Sequence, residues 1–363
     1  MTLVLGFKSR NSVFITGDSA ITFEGDWQIM NNPDDKLVPT TSFYEKNVDE
    51  EQLKVREVTI KSIQINEKII AGYAGLVFPA LNVLKEFRKL LTDINDTAPD
   101  LIKETFRQAV TNNYSNEIQL IVGFVYNDTP HLISYNYRNS GEFGEHDTTV
   151  LIGSFKEEEE GALTTFIRHL QSHDIDEKSI LSSINAILQS IGLREYILEK
   201  FGIGGAFMGI YTNSHGVFRQ DNVMYIIYHD RTPQMWVDII FNNHVANVRT
   251  INRYYKIFCD PLYYDEENDF LKVAAEMIKT DYIDSYKYLV FLSVRNGLIF
   301  VLLRNPMHDS RYFTLRFNNG NIEYSFHPKL EILFQEMEGT NFYFAFDEPE
   351  NENRDKVFHI SRL

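Results

Sequence analysis

The chain has a single cysteine, Cys259, among 363 residues. That excludes an internal disulfide framework and any metal site built from several thiolates. Basic residues are scarce beside acidic ones: Lys and Arg number 35 against 51 Asp and Glu, a formal net charge of −16. Such a field repels phosphate backbones and anionic lipid, so neither nucleic acid nor a membrane is an expected partner. Long apolar runs are also missing. The first, Leu3 to Phe7, stops at Lys8 and Arg10, too short for a signal-peptide core, and nothing approaches a membrane span. A soluble, cytoplasmic protein is the expectation. Apolar residues nevertheless make up 44% of the chain, enough to pack a core and too many for a disordered polymer. At this length, one large or two modest domains are expected.

Alternation at the start predicts a β-hairpin, with Leu3, Leu5 and Phe7 on one strand and Val13, Ile15 and Gly17 on the next. A turn at Ser9-Arg10-Asn11 makes facing residues sum to 20 and sets Thr2 opposite Asp18. Residues 31 to 57 are polar and acidic and read as an exposed loop or insertion. A second hairpin, Val58 to Ile65 and Lys68 to Ala74, turns at Asn66-Glu67, with facing residues summing to about 133 for a two-residue turn. Beyond Gly75 the period becomes helical: Phe78, Leu81, Leu84, Phe87 and Leu91 form one stripe, with Pro79 in the first turn.

Further helices are predicted over 99–110, 157–170 and 177–191, and strands over 118–126, 131–135, 150–152, 206–212 and 217–219. This order suits two packed sheets covered by helices, an α+β domain over residues 1–220. From 221 to 363 the chain is rich in Tyr, Phe and Ile and reads as a second α+β domain of unassigned role. It has strands at 224–228 and 236–241, hairpins around Arg295-Asn296-Gly297 and Asn319-Gly320, and helices at 270–283 and 328–337.

The chemistry concentrates near the N-terminus. With Met1 removed, Thr2 carries both a hydroxyl and a free α-amine. An α-amine with a pKa of about 7.7–8.0 can act as a general base near neutrality, so one residue supplies nucleophile and base. Such a site needs a cation near the amine, an anion to place the cation, and oxyanion donors. Lys61 and Asp18 supply the first two. Gly75, at a strand-to-helix junction with unpaired amides, supplies a donor. Taken singly, each has a plainer reading: Lys61 as a surface lysine, Asp18 as a turn former, Gly75 as a helix-entry glycine.

Together these residues resemble a known family. Thr2-Leu-Val-Leu-Gly, Phe14-Ile-Thr-Gly-Asp18 and the stretch Lys61 to Gly75 look like the proteasome β-subunit pattern, closest to the bacterial HslV-type peptidase. Ile152-Gly153-Ser154 matches the family's Gly-Ser element, and Gly204 to Asn213 its late strand, so the likeness covers residues 2 to about 219. It implies a four-layer αββα sandwich of the N-terminal nucleophile (Ntn) hydrolases, followed here by the extra C-terminal α+β domain. It implies Thr2 as nucleophile, Asp18 holding Lys61, Gly75 N–H on the oxyanion, and Ser154 orienting the amine and a water. Walls of the specificity pocket would then be Ile21, Thr59, Ile63, Tyr73 and Val77, suiting an apolar or aromatic side chain. No cofactor or metal is called for. A peptide or protein substrate, a homo-oligomer that could close into a ring, and an ATPase or regulatory partner are the implied associations.

The chain departs from the family pattern at Lys200 and Ile203, where β-subunits carry Asp and Ser, and in the longer stretch between Asp18 and Lys61. Those departures favour an alternative, a catalytically silent subunit serving as an assembly or partner-binding scaffold. Other motifs are weaker. Gly202-Ile-Gly204-Gly205 has Phe207 where a dinucleotide fingerprint needs glycine. Asp265 to Asp269 lacks the EF-hand glycine, and His169 and His173 flank Leu170 where a zinc peptidase needs Glu. Cys259 has no adjacent basic residue and reads as a buried, inert thiol.

Overall fold

The structure is a computed structural model. It describes residues 2–23, 54–57, 59–92, 98–115, 117–136, 141–154, 157–172, 176–194, 204–229, 232–242, 245–250, 254–263, 287–293, 299–303, 313–318, 321–326, 343–347 and 358–362. It is mixed α+β, and among the described residues every strand pairing is antiparallel except one.

β1 (Leu3–Ser9) and β2 (Ser12–Gly17) form the first hairpin, and β3 (Ala20–Phe23) pairs with β4 (Lys54–Glu57). β5 (Ser62–Gln64) and β6 (Ile69–Gly75) form the second hairpin and lead into α1 (Val77–Leu91) and α2 (Pro99–Asn112). β7 (Ile118–Tyr126), β8 (Thr129–Asn136) and β9 (Glu142–Glu145) extend this sheet to the order β5-β6-β7-β8-β9. β10 (Thr149–Gly153), α3 (Glu157–Gln171), α4 (Glu177–Arg194), β11 (Met208–Asn213) and β12 (Gly216–Arg219) complete the first sheet, β10-β1-β2-β11-β12.

A third sheet follows from β13 (Val223–His229), β14 (Thr232–Asn242), β15 (Val245–Thr250), β16 (Tyr254–Phe258), β17 (Tyr288–Ser293) and β18 (Ile299–Leu303). Its β13 and β17 run parallel. Two ribbons, β19 (Phe313–Asn318) with β20 (Asn321–Phe326) and β21 (Tyr343–Asp347) with β22 (Phe358–Arg362), end the chain's described elements. Both hairpins anticipated in this region are present, around Val290↔Val301 and Asn318↔Asn321. The helices expected at 270–283 and 328–337 lie outside the described residues.

Three apolar clusters hold the layers. Helices α1 and α2 cover β5–β9 through Ala80, Leu84, Phe87, Ile102, Phe106 and Ala109. The two N-terminal sheets face each other through Val4, Val13, Ile15, Ile70, Ile121 and Leu132. α3 and α4 then cover the other side of β1 and β2, and α4 also packs against β17 and β18. β1 is consequently buried on both faces, which is why its sequence reads as an unbroken apolar run. Residues 179 to 190 of α4 are all buried, and a helix enclosed on every side must satisfy its own polar groups. Thr16 Oγ1 donates to Asn185 Oδ1, and Asn185 Nδ2 donates to Gln220 Oε1 at 2.5 Å. Gln189 bridges the Gly205 carbonyl and the Phe207 amide, each at 3.1 Å.

Three expectations are corrected. The first hairpin turns on two residues, Arg10 and Asn11, so partners sum to 21 and Leu3, rather than Thr2, faces Asp18. Arg10 adopts φ +52°, which closes a tighter turn than the three-residue one inferred from the polar run. In the second hairpin the turn is longer: Asn66 Oδ1 accepts from the amides of Lys68 and Ile69, both at 2.9 Å. This Asx turn holds three residues and makes partners sum to 134. Phe78 leaves the buried stripe and is 40% exposed, while its neighbour Val77 packs against the cluster.

Candidate active site

Thr2 stands immediately before β1 and is buried, at 4% exposure. Its carbonyl accepts the Ser154 amide at 2.9 Å, since Ser154 directly follows β10, the strand beside β1. One residue later, the Leu3 amide donates to Asp18 Oδ1 at 3.1 Å, and the Asp18 amide donates back to the Leu3 carbonyl at 3.2 Å. Asp18 Oδ2 accepts the Gly204 amide at 3.3 Å. Its carboxylate therefore joins the head of the Thr2 strand to the segment before β11. Two more bonds tighten that seam: the Ala206 amide donates to Ser19 Oγ at 2.9 Å, and the Ala20 amide to the Gly204 carbonyl at 3.2 Å.

Lys61 lies at a bend just before β5, fully enclosed, and its Nζ donates to the Ala20 carbonyl. Burial pulls its proton affinity down, and the charge of Asp18 opposes that. The Asp18 carboxyl is pushed up by burial, with Lys61 and then the Leu3 and Gly204 amides opposing it. The two charges thus support each other in a place where neither is stable alone. Tyr73 donates its amide to the Lys61 carbonyl at 3.1 Å, which puts Lys61 two positions from Gly75, at the same end of the hairpin as the turn arithmetic predicts.

Gly75 ends β6 at φ +91°, opposite Ile118, and α1 begins two residues later. A Cβ there would stand 1.9 Å from the Glu117 carbonyl oxygen, so only glycine makes this strand-to-helix turn. Gly153 is the second such position. At φ +109° its missing Cβ would meet the Thr2 carbonyl oxygen at 1.8 Å. Gly153→Ala is expected to destabilise the protein by about 2–4 kcal/mol, through backbone strain plus loss of the Thr2–Ser154 pairing. Urea unfolding checks the magnitude, and faster exchange of the Ser154 amide checks its location.

The five residues expected to wall the pocket are all buried or partly buried. Ile63 and Tyr73 are fully buried in the core under α1 and α2, and Val77 packs at its edge. Ile21 follows Ala20, whose carbonyl accepts from Lys61 Nζ, and Thr59 stands two residues before Lys61; both are buried, and the Thr59 hydroxyl donates to the Ile60 carbonyl at 3.3 Å. Burial raises the Tyr73 phenol, and its hydroxyl lies by that of Thr59. Lys200 and Ile203 lie outside the described residues.

Several supporting groups escape a reading of the sequence. Gln119 Oε1 accepts the Gly153 amide at 2.6 Å from across the sheets. A lone Gln inside the apolar run Ile118-Gln119-Leu120-Ile121-Val122 is the signal that could have exposed it. Ser19 and Glu57 close on Gly205, where an added Cβ would come within 2.5 Å and 2.4 Å of their oxygens. Compared with known proteins, the sequence matches no family model and no curated protein. Among the described residues no group of three or more His, Cys, Asp or Glu is placed to hold a metal, and no helix is long and apolar enough to cross a membrane. Cys259 is buried, its thiol pushed up to about 12 by desolvation, which leaves it protonated and unreactive.

Proposed function

We propose that the chain is an N-terminal threonine hydrolase, a proteasome-like peptidase that cleaves amide bonds through an ester on Thr2. The observation that carries this reading is the buried Asp18–Lys61 pair at the head of the Thr2 strand. Two enclosed opposite charges cost more than apolar residues of the same size, so their presence favours a chemical task over a structural one. The sequence of layers, a helix pair, two facing sheets and a second helix pair, supports the αββα Ntn-hydrolase sandwich.

In this reading Met1 is removed and the charge of Lys61 keeps the Thr2 amine neutral. The amine takes the proton from Thr2 Oγ1 as the oxygen attacks the peptide carbonyl. The Gly75 amide stabilises the oxyanion, the C–N bond breaks, and the amine returns the proton to the departing nitrogen. Water, deprotonated by the same amine, then attacks the ester and regenerates Thr2. Ser154, bonded to the Thr2 carbonyl through its amide, is placed to steady that end of the strand. A homo-oligomer, a ring, a regulatory ATPase and a cytoplasmic location belong to the same proposal.

A peptide epoxyketone tests it, because the reagent closes a ring on both the hydroxyl and the free amine of an N-terminal threonine. Intact mass and peptide mapping should find Met1 gone and one adduct on Thr2 that Lys61→Ala loses. A processed protein that forms no adduct would support the silent scaffold, and a retained Met1 would overturn the enzyme reading for that form of the protein.

A further inference from the structure

At the other end of β1, roughly 20 Å from Thr2 at the ordinary rise of a strand, a second pair of reactive groups is in contact. Ser134 lies on β8 opposite Gly144 of β9. His146 follows β9, where the chain crosses to β10 in the facing sheet, and its amide donates to the Leu132 carbonyl at 2.8 Å. That bond folds the imidazole back over the strand, and Nε2 comes to 2.7 Å from Ser134 Oγ. We propose that Ser134 is a second nucleophile, activated by His146, that accepts acyl groups from small activated esters.

Three features support a reactive pair over a structural one. Burial lowers the proton affinity of the ring, and the charge of Lys8 lowers it further against Asp147 and Glu145, so the imidazole is held in the neutral form a base requires. Lys8 is held near the pair by the hydrogen bond from its amide to the Thr148 carbonyl at 2.8 Å, and its positive charge acts on the imidazole. Gly144 lies directly against the pair: a Cβ there would lie 3.1 Å from His146 Nε2 and 3.3 Å from Ser134 Oγ. Any side chain at 144 would press on both reacting atoms, and β9 is the edge strand of its sheet.

The step balances without a further reagent. Ser134 Oγ bonds to the acyl carbon as His146 Nε2 takes its proton. The ester C–O bond breaks and the leaving oxygen takes that proton from His146. Water attacks the acyl-serine, His146 again moves the proton, and the acid departs. This site stands whether or not Thr2 is active.

The test uses the full chain carrying Thr2→Ala, which removes the competing hydroxyl. Treatment with a small fluorophosphonate followed by peptide mapping should place one adduct on Ser134, absent from Ser134→Ala. Labelling should slow by about 10²-fold or more in His146→Gln. Gly144→Ala, at a backbone conformation open to any residue, should also suppress it. No adduct on Ser134 in the folded protein overturns the proposal, as does labelling unchanged in His146→Gln. If His146→Gln fails to fold, undiminished labelling in Gly144→Ala overturns it equally.

Discussion

Lys61→Met is expected to lower stability by about 3–5 kcal/mol at pH 7 and by much less near pH 4. The substitution leaves Asp18 fully enclosed with two amide donors and without the opposite charge that offsets its burial. Its carboxyl, already raised, rises further. Between the unfolded value of about 3.9 and that raised folded value, the native state binds more protons than the unfolded chain. Stability therefore falls as pH rises through that window, and below it Asp18 is neutral and needs no counter-ion. The lowered proton affinity of Lys61 acts in the opposite sense and at higher pH. There the folded wild type sheds its proton before the unfolded chain does, and stability rises with pH. Urea unfolding at both pH values is the measurement. An equal penalty at pH 7 and pH 4 would show that Lys61 acts through packing alone.

The second large effect concerns turnover. Thr2→Ala should reduce hydrolysis of peptide amides by on the order of 10⁴-fold or more, the usual loss when a covalent nucleophile is removed. The Ser154 bond to the Thr2 carbonyl is a backbone contact and survives the change, so unfolding should shift by only about 1 kcal/mol. Thr2→Ser keeps hydroxyl and amine and should keep measurable activity. A chain bearing one uncleavable residue ahead of Thr2 should be as inactive as Thr2→Ala, since an amide nitrogen is no base. Activity in that blocked chain would move the general base away from the Thr2 amine.

Local chemistry made much of this legible in the sequence. Apolar alternation and the change of period after Gly75 mark strand, turn and helix, and the elements from β5 to β12, β9 excepted, fall close to where those periods place them. β3, β4 and β9 are only four residues each, β4 and β9 carry charged residues, and their pairing depends on neighbours outside the strand itself, so periodicity passes over them. The hairpin register was not legible either, because Ser9-Arg10-Asn11 suits a turn of two or three residues, and only the pairing of β1 with β10 and β2 with β11 selects one.

The sequence by itself determined which residues could do chemistry: a threonine at position 2, one aspartate and one lysine at strand ends, and glycines where the chain must turn sharply. Residue type and spacing are local properties, and they are written directly in the chain. Tertiary structure alone decided that Asp18 grips Leu3 and Gly204, that Gln119 reaches Gly153 from the facing sheet, and that His146 folds onto Ser134. Burial is the physical reason. Enclosure between two sheets turns an ordinary aspartate and lysine into a coupled pair, and enclosure depends on contacts that no stretch of sequence contains.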